Sequence, residues 1–248
     1  MLSGLPMCSD VHHLLFADDL SMFVVEDTLD DTNRKLQMAI NKTTQWLNEQ
    51  GLTLNAKKSV CMLFTRKKLS QPPSLYMQGI SIRLTTQHRF LGLILDAPYL
   101  NWNAHIENLI TVCLRKLNVL KALTSVKWGA SRYLLFKFYN SFIKSKILYG
   151  IQVYSSASNS HLKKLDIVQN QAIRIITGLR RTTPIASMLI ETKIPSIGEL
   201  IQFTLCKTFL KISTLPYSHM SHLLINNHLN LLNRFKWNVL YCPIKLIL

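Results

Sequence analysis

The sequence predicts an α+β fold, in which a part that contains strands precedes a part made mostly of helices. Two observations support this prediction. Up to residue 97, short apolar and β-branched runs alternate with turn residues around one amphipathic helix. From Asn101 onward, apolar residues recur every three or four positions, which is helical spacing. The change of pattern at residues 97–101 is therefore the predicted boundary between the two parts.

The first predicted elements are two short strands and a helix. Residues 14–25 are apolar on both sides of an adjacent pair of aspartates, which predicts two strands around a tight acidic turn. Thr28 begins a helix, and Asp31 stands three residues later as an acidic version of the capping box. Gly51 lies where a C-terminal cap belongs. The helical spacing between these caps is carried by Leu36, Ile40, Thr43 and Leu47.

A strand, a loop and two further strand-like runs complete the first part. Residues 59–64 are apolar and predict a strand, and residues 66–79 contain basic residues, two prolines and a glycine that predict a loop. Strand-like runs follow at residues 80–84 and 89–95.

The second part predicts four helices. Residues 131–149 form the second and residues 160–177 the third, which Gly178 closes. Ser196 with Glu199 is a capping box that opens the fourth helix, which continues through Leu200, Phe203, Lys207 and Leu210. The first helix is marked by Trp102, Ile106, Leu109, Cys113, Leu117 and Leu120.

The charges are few and segregated. Only 17% of the residues are charged, yet the net charge is +16. Residues 1–32 carry −7 and residues 33–248 carry +23. A basic body with one acidic stretch favours a polyanionic partner, with nucleic acid ahead of an anionic membrane surface. The alternative is an acidic helix start followed by an ordinary basic surface.

Cysteine usage and hydropathy predict an intracellular protein. The five cysteines are scattered, with no C-x-x-C pair, so a disulfide framework is not expected. Cys8 with His12 and His13 lacks a second ligand pair for a metal site. No secretory signal and no apolar run long enough to cross a bilayer are visible in the sequence.

The sharpest feature is the sequence Phe16-Ala17-Asp18-Asp19. Adjacent carboxylates on a hairpin tip repel each other, and a divalent cation removes that penalty. Mg²⁺ prefers hard oxygen ligands and commonly binds through one or two carboxylates and substrate phosphates. Two such metals hold the attacking and leaving oxygens in polymerases. The alternative is a solvated Asp-Asp turn without a metal.

The surrounding segments resemble reverse transcriptases of non-LTR retrotransposons of the Jockey, R1 and I-like kind. Residues 11–23 are similar to the catalytic palm hairpin, and residues 51–59, Gly-Leu-Thr-Leu-Asn-Ala-Lys-Lys-Ser, are similar to the motif that follows it. Residues 90–96 resemble the segment that steers the primer terminus. Trp102 with His105 and Ile106 resembles the start of the thumb. The segments 148–150 and 169–178 resemble the helical region after it.

The resemblance implies roles for individual residues. Asp18 and Asp19 would be catalytic carboxylates that bind Mg²⁺ or Mn²⁺ in a two-metal site. Lys58 would lie near the phosphates of the incoming nucleotide, as a general acid to pyrophosphate; the alternative is a surface lysine in a basic turn. The primer-positioning turn would be formed by Phe90, Leu91 and Gly92, and the alternative for Gly92 is a strand bulge.

The basic helices would contact the phosphates of the template and primer without reading their sequence. The alternative for each single residue is a solvated basic face. The residues implied in this contact are Arg115, Lys116, Lys121, Lys127 and Arg132.

The implied architecture is a partial palm in residues 1–97, a thumb-like helical region in 98–155 and a C-terminal helical extension in 156–248. The implied activity is RNA-directed DNA polymerisation, with an RNA template, a DNA primer and dNTPs as partners and a nuclear location. The third metal carboxylate, the fingers and the endonuclease of the family precede the hairpin, so we expect this chain to be inactive alone. The alternatives are a nucleic-acid-binding remnant without catalysis and an intron maturase.

Overall fold

The computed structural model describes residues 10–67, 72–124 and 129–216, and the backbone of residues 238–247. The chain divides between Leu100 and Asn101 into two compact units, and the C-terminal strand belongs to the first. The mixture of helices and strands confirms the α+β class.

The first unit is built on a six-stranded sheet. Its main order is β1-β2-β10-β4-β7, and β3 also pairs with β10. All pairings in this sheet are antiparallel except that of β4 with β7. Two small antiparallel hairpins, β5-β6 and β8-β9, accompany it. The elements are β1 (His12–Phe16), β2 (Asp19–Glu26), α1 (Leu29–Glu49), β3 (Thr53–Leu54), β4 (Val60–Phe64), β5 (Tyr76–Met77), β6 (Ile80–Ser81), β7 (Arg83–Leu84), β8 (Gln87–Phe90), β9 (Leu93–Asp96) and β10 (Asn238–Ile247).

Helix α1 packs against one face of this sheet. The four residues predicted to carry its apolar spacing are all buried. Helix α1 and β2 share one core, to which β2 contributes alternate residues, because successive side chains of a strand point to opposite faces. Each fully buried aliphatic side chain contributes about 1.5–3 kcal/mol. The shared core includes Leu20, Met22 and Val24 of β2 with Leu36 and Ile40 of α1.

Both predicted caps of α1 are confirmed. The Thr28 hydroxyl accepts a hydrogen bond from the Asp31 backbone N–H at 3.1 Å and donates one to the Asp31 carboxylate at 2.7 Å. Gly51 adopts a φ of 74°, the left-handed conformation typical of a residue that ends a helix.

One loop prediction and two strand predictions in the first unit are corrected by the structure. The predicted strand 80–84 is divided into β6 and β7, which belong to different sheets. The predicted loop 66–79 contains β5, and residues 68–71 of that loop lie outside the described residues. The predicted single strand 89–95 is instead the turn and flanking strands of the β8-β9 hairpin. The cause is a pair of consecutive positive φ values, 46° at Leu91 and 84° at Gly92, which reverse the chain.

The second unit is helical, as predicted. The predicted helix 131–149 is observed as one continuous helical run whose middle is π-helical, and two short helices, α5 and α7, were not predicted. The elements are α2 (Asn103–Ala122), α3 (Arg132–Phe138), the π-helical segment Tyr139–Lys144, α4 (Ser145–Leu148), α5 (Ile151–Tyr154), α6 (Asn159–Thr177), α7 (Ile185–Thr192) and α8 (Ile197–Ser213).

The core of the second unit contains a buried polar network. The Tyr139 hydroxyl donates to Oε1 of Gln169 at 2.9 Å, and Nε2 of Gln169 donates to the Pro195 carbonyl at 2.8 Å. Burial raises the pKa of Tyr139 well above its ordinary value, so its hydroxyl stays a donor. The six predicted apolar positions of the first helix are all buried. The capping box of Ser196 and Glu199 is confirmed.

The predicted C-terminal helical extension, residues 156–248, differs from what is observed at its end. Helices continue as far as Ser213, but Asn238–Ile247 form β10 in the sheet of the first unit. Pro243 lies inside this segment, and proline is strongly unfavourable in a helix interior because it lacks an N–H and clashes with the preceding turn.

Candidate active site

The two aspartates lie together at the tip of the β1-β2 hairpin. Phe16 pairs with Asp19, so Ala17 and Asp18 form a two-residue turn. Ala17 has a φ of 52°, which a two-residue turn of this kind normally assigns to glycine. The Asp18 side chain is exposed and Asp19 is half-buried. The hairpin therefore presents one carboxylate to solvent and holds the next at the start of a buried strand.

This pair has the donor chemistry of a magnesium site. Two carboxylates supply hard oxygen ligands, and Mg²⁺ completes its octahedron with water and substrate phosphates. Among the described residues there is no group of three or more histidine, cysteine, aspartate and glutamate side chains placed to hold a metal. By their chemistry, the two adjacent carboxylates would supply part of a metal-ligand set.

The sheet places the turn that carries Lys58 at the same end of β10 as Asp19. In β10, Lys245 pairs with Asp19, and the next residue pairs with Leu54 of β3 on the other side. Strands flanking a common neighbour are roughly 10 Å apart. The chain then turns after Leu54: the Lys58 backbone N–H donates to Oδ1 of Asn55 at 3.1 Å. The Lys58 side chain is exposed.

The predicted primer-positioning residues lie in the separate β8-β9 hairpin. Phe90 pairs with Leu93, which leaves Leu91 and Gly92 as the two-residue turn between the strands. Leu91 is 39% exposed although it is apolar and strained by its positive φ. The sequence thus identified the turn from the resemblance, although the apolar run alone predicted a continuous strand.

Four of the five predicted phosphate-binding residues lie in the second unit, and Lys127 lies outside the described residues. Arg115 and Lys121 are exposed on α2. The Lys116 ammonium stands 5.5 Å from the centroid of the Phe142 ring. Arg132 forms an ion pair with Glu191 at 3.4 Å, which partly offsets its charge.

Aromatic rings accompany this basic surface; the sequence predicted Tyr133 near the basic residues but not the contact of Lys116 with Phe142. Besides the contact of Lys116 with Phe142, the Lys137 ammonium stands 4.6 Å over the ring of Tyr133. Tyr133 is 65% exposed and Phe142 is 47% exposed. Lys137 and Tyr133 are four residues apart on α3, a spacing that is visible in the sequence. Phe142, the partner of Lys116, lies on another helical segment, so no local pattern predicts that contact.

The second unit is strongly cationic. Residues 101–216 contain 16 lysines and arginines and four acids, a net charge of +12. Three of those acids already serve contacts within the unit. Glu191 pairs with Arg132, Glu199 caps α8, and Asp166 accepts from the Ile197 backbone N–H at 3.0 Å. Most of the positive charge therefore has no acidic counterpart in this part of the chain.

The chain is similar to RNA-directed DNA polymerases of Drosophila mobile elements. It is 25% identical over 209 residues to that of mobile element jockey from Drosophila melanogaster, which is 84% of this chain and 23% of that protein. It is 24% identical over 203 residues to the RNA-directed DNA polymerase of mobile element jockey from Drosophila funebris, which is 82% of this chain and 22% of that protein. The probable RNA-directed DNA polymerase from transposon BS of Drosophila melanogaster is 25% identical over 163 residues, which is 65% of this chain and 18% of that protein.

These relatives are named as RNA-directed DNA polymerases, a class of nucleotidyltransferases. They also confirm the more specific resemblance to reverse transcriptases of non-LTR retrotransposons of the Jockey kind. The chain spans less than a quarter of the length of the curated relatives it matches. No protein-family model and no solved structure matches it. In the part of the chain that the structure describes, no helix has the length and apolar character needed to span a membrane.

Proposed function

We propose that this chain carries the palm hairpin and the thumb of an RNA-directed DNA polymerase that uses Mg²⁺ or Mn²⁺. The observation that supports this most is the tight turn that places Asp18 and Asp19 side by side at the end of a buried strand. The bound metals would activate the primer hydroxyl and neutralise the leaving pyrophosphate. Asp18 and Asp19 would hold them, and the first unit corresponds to part of a palm.

The other predicted residues have supporting roles in this proposal. Lys58 extends from a turn at the same end of the sheet and would bind the phosphates of the incoming nucleotide. Leu91 and Gly92 would support the primer terminus at the tip of their hairpin. The second unit would bind the RNA–DNA duplex through phosphate contacts of Arg115, Lys116 and Lys121, and its net charge of +12 supports this role.

The test uses iron in place of magnesium. Fe²⁺ with ascorbate and peroxide generates hydroxyl radicals that cut nucleic acid close to the bound metal. On an RNA template with an end-labelled DNA primer, we expect cuts clustered at the primer 3′ end, removed by Asp18→Asn. Asp30→Asn is the matched control, because Asp30 is an exposed acid on α1 outside the hairpin. Cuts spread evenly along the duplex, or unchanged by Asp18→Asn, would contradict the proposal.

A second candidate function is nucleic-acid binding without catalysis, which the cationic second unit favours. Both candidates predict binding that weakens as salt rises, because each neutralised phosphate releases counterions. They differ in the metal: the binding-only protein shows no Mn²⁺ binding that depends on Asp18. Titration of Mn²⁺ followed by electron paramagnetic resonance, on the parent chain and on Asp18→Asn, separates them.

A further inference from the structure

The helical run formed by α3, the π-helical segment and α4 exposes aromatic rings among its cations. Residues 131–148 include four lysines and arginines and no acid. Tyr133 and Phe142 are both exposed on this run. Phosphate contacts alone require cations and no rings. The exposed rings therefore indicate a ligand that offers more than its phosphates.

The winding of this run keeps its exposed positions in line. An α-helix has about 3.6 residues per turn, so positions four apart drift around the axis by roughly 40° at each step. The π-helical middle winds more slowly, because its hydrogen bonds span five residues. Every fourth residue is consequently buried: Leu135, Tyr139, Ile143 and Ile147. The row two residues earlier, which contains Tyr133 and Lys137, is exposed from residue 133 to residue 145.

Each of the two exposed rings has an ammonium group near its face. The Lys137 ammonium stands 4.6 Å from the centroid of the Tyr133 ring, one turn away on the same row. The Lys116 ammonium of α2 stands 5.5 Å from the centroid of the Phe142 ring. Phe142 also packs against Phe138, with ring centroids 4.7 Å apart. A cation and an aromatic face thus lie side by side at two points of the surface.

These lysine–ring contacts are weak enough to be exchanged for a bound strand. A lysine over an exposed ring shifts an equilibrium by about two- to fivefold, whereas a base stacked on an aromatic side chain contributes about five- to 150-fold. The displaced ammonium group can bind the phosphate next to that base. In a duplex the base faces are covered by neighbouring base pairs, so only unpaired bases can stack on the rings.

We propose that Tyr133 and Phe142, together with Lys137 and Lys116, form a stacking face that binds single-stranded nucleic acid. The proposal rests on the nucleic-acid binding proposed above for the second unit and adds to it a strand with unpaired bases. Along the helix axis the two rings are about 13 Å apart, which is about four nucleotides at roughly 3.4 Å each. RNA and DNA share base faces and phosphates, so this chemistry suits either strand.

The first test compares three ligands of equal length on the full chain: an oligothymidylate, an abasic strand with the same phosphates, and an RNA–DNA duplex. Fluorescence anisotropy gives the Kd of each at several salt concentrations. We expect the parent chain to bind the oligothymidylate at least about fivefold more tightly than the abasic strand, because only the former has bases to stack. Tyr133→Leu and Phe142→Leu keep an apolar side chain without a ring. Each should weaken oligothymidylate binding by about fivefold and leave the other two ligands unchanged.

Phe203→Leu is the matched control, because Phe203 is an exposed ring on α8, outside the stacking face. We expect this variant to bind all three ligands as the parent does. Equal affinity of the parent for the oligothymidylate and the abasic strand would overturn the proposal, as would the same loss in Phe203→Leu. An equal loss for all three ligands in the ring variants would also overturn it. Salt-dependent binding of the duplex by the parent reports separately on the proposed function, since it does not involve the rings.

The second test needs no variant and therefore does not depend on how the substitutions fold. A DNA strand that carries 5-iodouracil is irradiated with the parent chain, because this base crosslinks to aromatic rings on which it stacks. Mass spectrometry should locate the crosslinks at Tyr133 and Phe142. Oligouridylate and oligothymidylate should both compete, and the stronger competitor identifies the preferred strand. Crosslinks without enrichment at these two rings over Phe203, or no crosslinks, would overturn the proposal.

Discussion

At the scale of single residues, the candidate site combines charge repulsion with backbone strain. Asp18 and Asp19 are adjacent, and the residue before them, Ala17, has a φ of 52°. An L-residue in this region costs of order 1–2 kcal/mol. Such strain persists only where the surrounding structure enforces it, here the register of Leu15 with Leu20 and of Phe16 with Asp19. The hairpin thus fixes the position of the two carboxylates at a cost in stability.

Replacing Ala17 with glycine tests this strain. We expect Ala17→Gly to raise the free energy of unfolding of the first unit by about 0.5–1 kcal/mol, because glycine adopts positive φ without a Cβ clash, partly offset by its greater entropy when unfolded. Urea unfolding measures the change. The control is Ala39→Gly in the middle of helix α1 of the same unit, which should destabilise by at least about 0.5–1 kcal/mol, because glycine is unfavourable in a helix interior. Destabilisation by Ala17→Gly would show that the turn is not strained.

At the scale of elements, the cap of α1 links stability to pH. The Thr28 hydroxyl is the largest cause that lowers the pKa of Asp31 below its ordinary value of 3.8, followed among the lowering causes by the charge of Arg34. A carboxyl with a lowered pKa in the folded state stabilises the fold above its ordinary pKa. That contribution disappears as pH falls through the lowered value.

We therefore expect Thr28→Ala to have a pH-dependent effect. At neutral pH it should lower the free energy of unfolding by about 1 kcal/mol, the usual effect of losing an N-cap side chain. The difference from the parent should shrink as pH falls below about 4, where carboxylates become protonated. The pKa of Asp31, followed by NMR, should rise more in Thr28→Ala than in Arg34→Ala. An unchanged Asp31 pKa in Thr28→Ala would contradict the assignment of the hydrogen bond.

Replacing two glycines at the ends of helices with alanine should change stability in opposite directions. Gly178 ends α6 with a φ of 72° and has no atom within 4 Å of an added Cβ. We expect Gly178→Ala to destabilise the second unit by about 1 kcal/mol through backbone strain alone. Gly198 lies inside the first turn of α8, where the nearest atom is 4.0 Å away. We expect Gly198→Ala to stabilise by about 0.4–1 kcal/mol. Thermal unfolding of both variants measures the pair, and shifts of the same sign would contradict it.

Elements with a local signal were predicted and elements that depend on distant partners were not. Helix α1 was predicted because its apolar spacing, Thr28 and Gly51 are all within one stretch of sequence. The β8-β9 hairpin was read as one strand because Leu91 is not a turn residue, and its φ of 46° follows from the fold. Strand β10 was missed because its partners, Asp19 and Leu54, lie roughly 200 residues away.

The same distinction holds for the candidate site. The Asp18-Asp19 turn was predicted because apolar residues flank an acidic pair over a few positions. The placement of Lys58 at the same end of the sheet, and of Lys245 opposite Asp19, depends on how β10 pairs on both sides. No local pattern encodes that pairing. The contact of Lys116 with Phe142 joins two helices and was missed for the same reason.

At the scale of the whole molecule, the acidic candidate site and the cationic surface belong to different units. The acidic hairpin lies in the first, and the cationic helices lie in the second. Each unit has its own core, centred on β2 with α1 in the first and on the Tyr139–Gln169 network in the second. The two units therefore have separate determinants of stability. Each contains a buried free cysteine, whose reactivity can follow the unfolding of that unit.

Thiol labelling should follow the two units independently. Burial raises the pKa of Cys61 in β4 to about 12 and that of Cys113 in α2 to about 11, so their thiolates are scarce at neutral pH. Cys206 on α8 is exposed. We expect Cys206 to react with iodoacetamide at once, and Cys61 and Cys113 to react only when their own units unfold.

Mass spectrometry of the labelled peptides across a urea series gives one unfolding curve for each unit. Gly178→Ala should move the Cys113 curve to lower urea and leave the Cys61 curve in place, since effects at distant sites are independent. Ala17→Gly should move the Cys61 curve to higher urea and leave that of Cys113. If both curves move together in both variants, the chain unfolds as one cooperative body, and the separate cores do not act as separate units of stability.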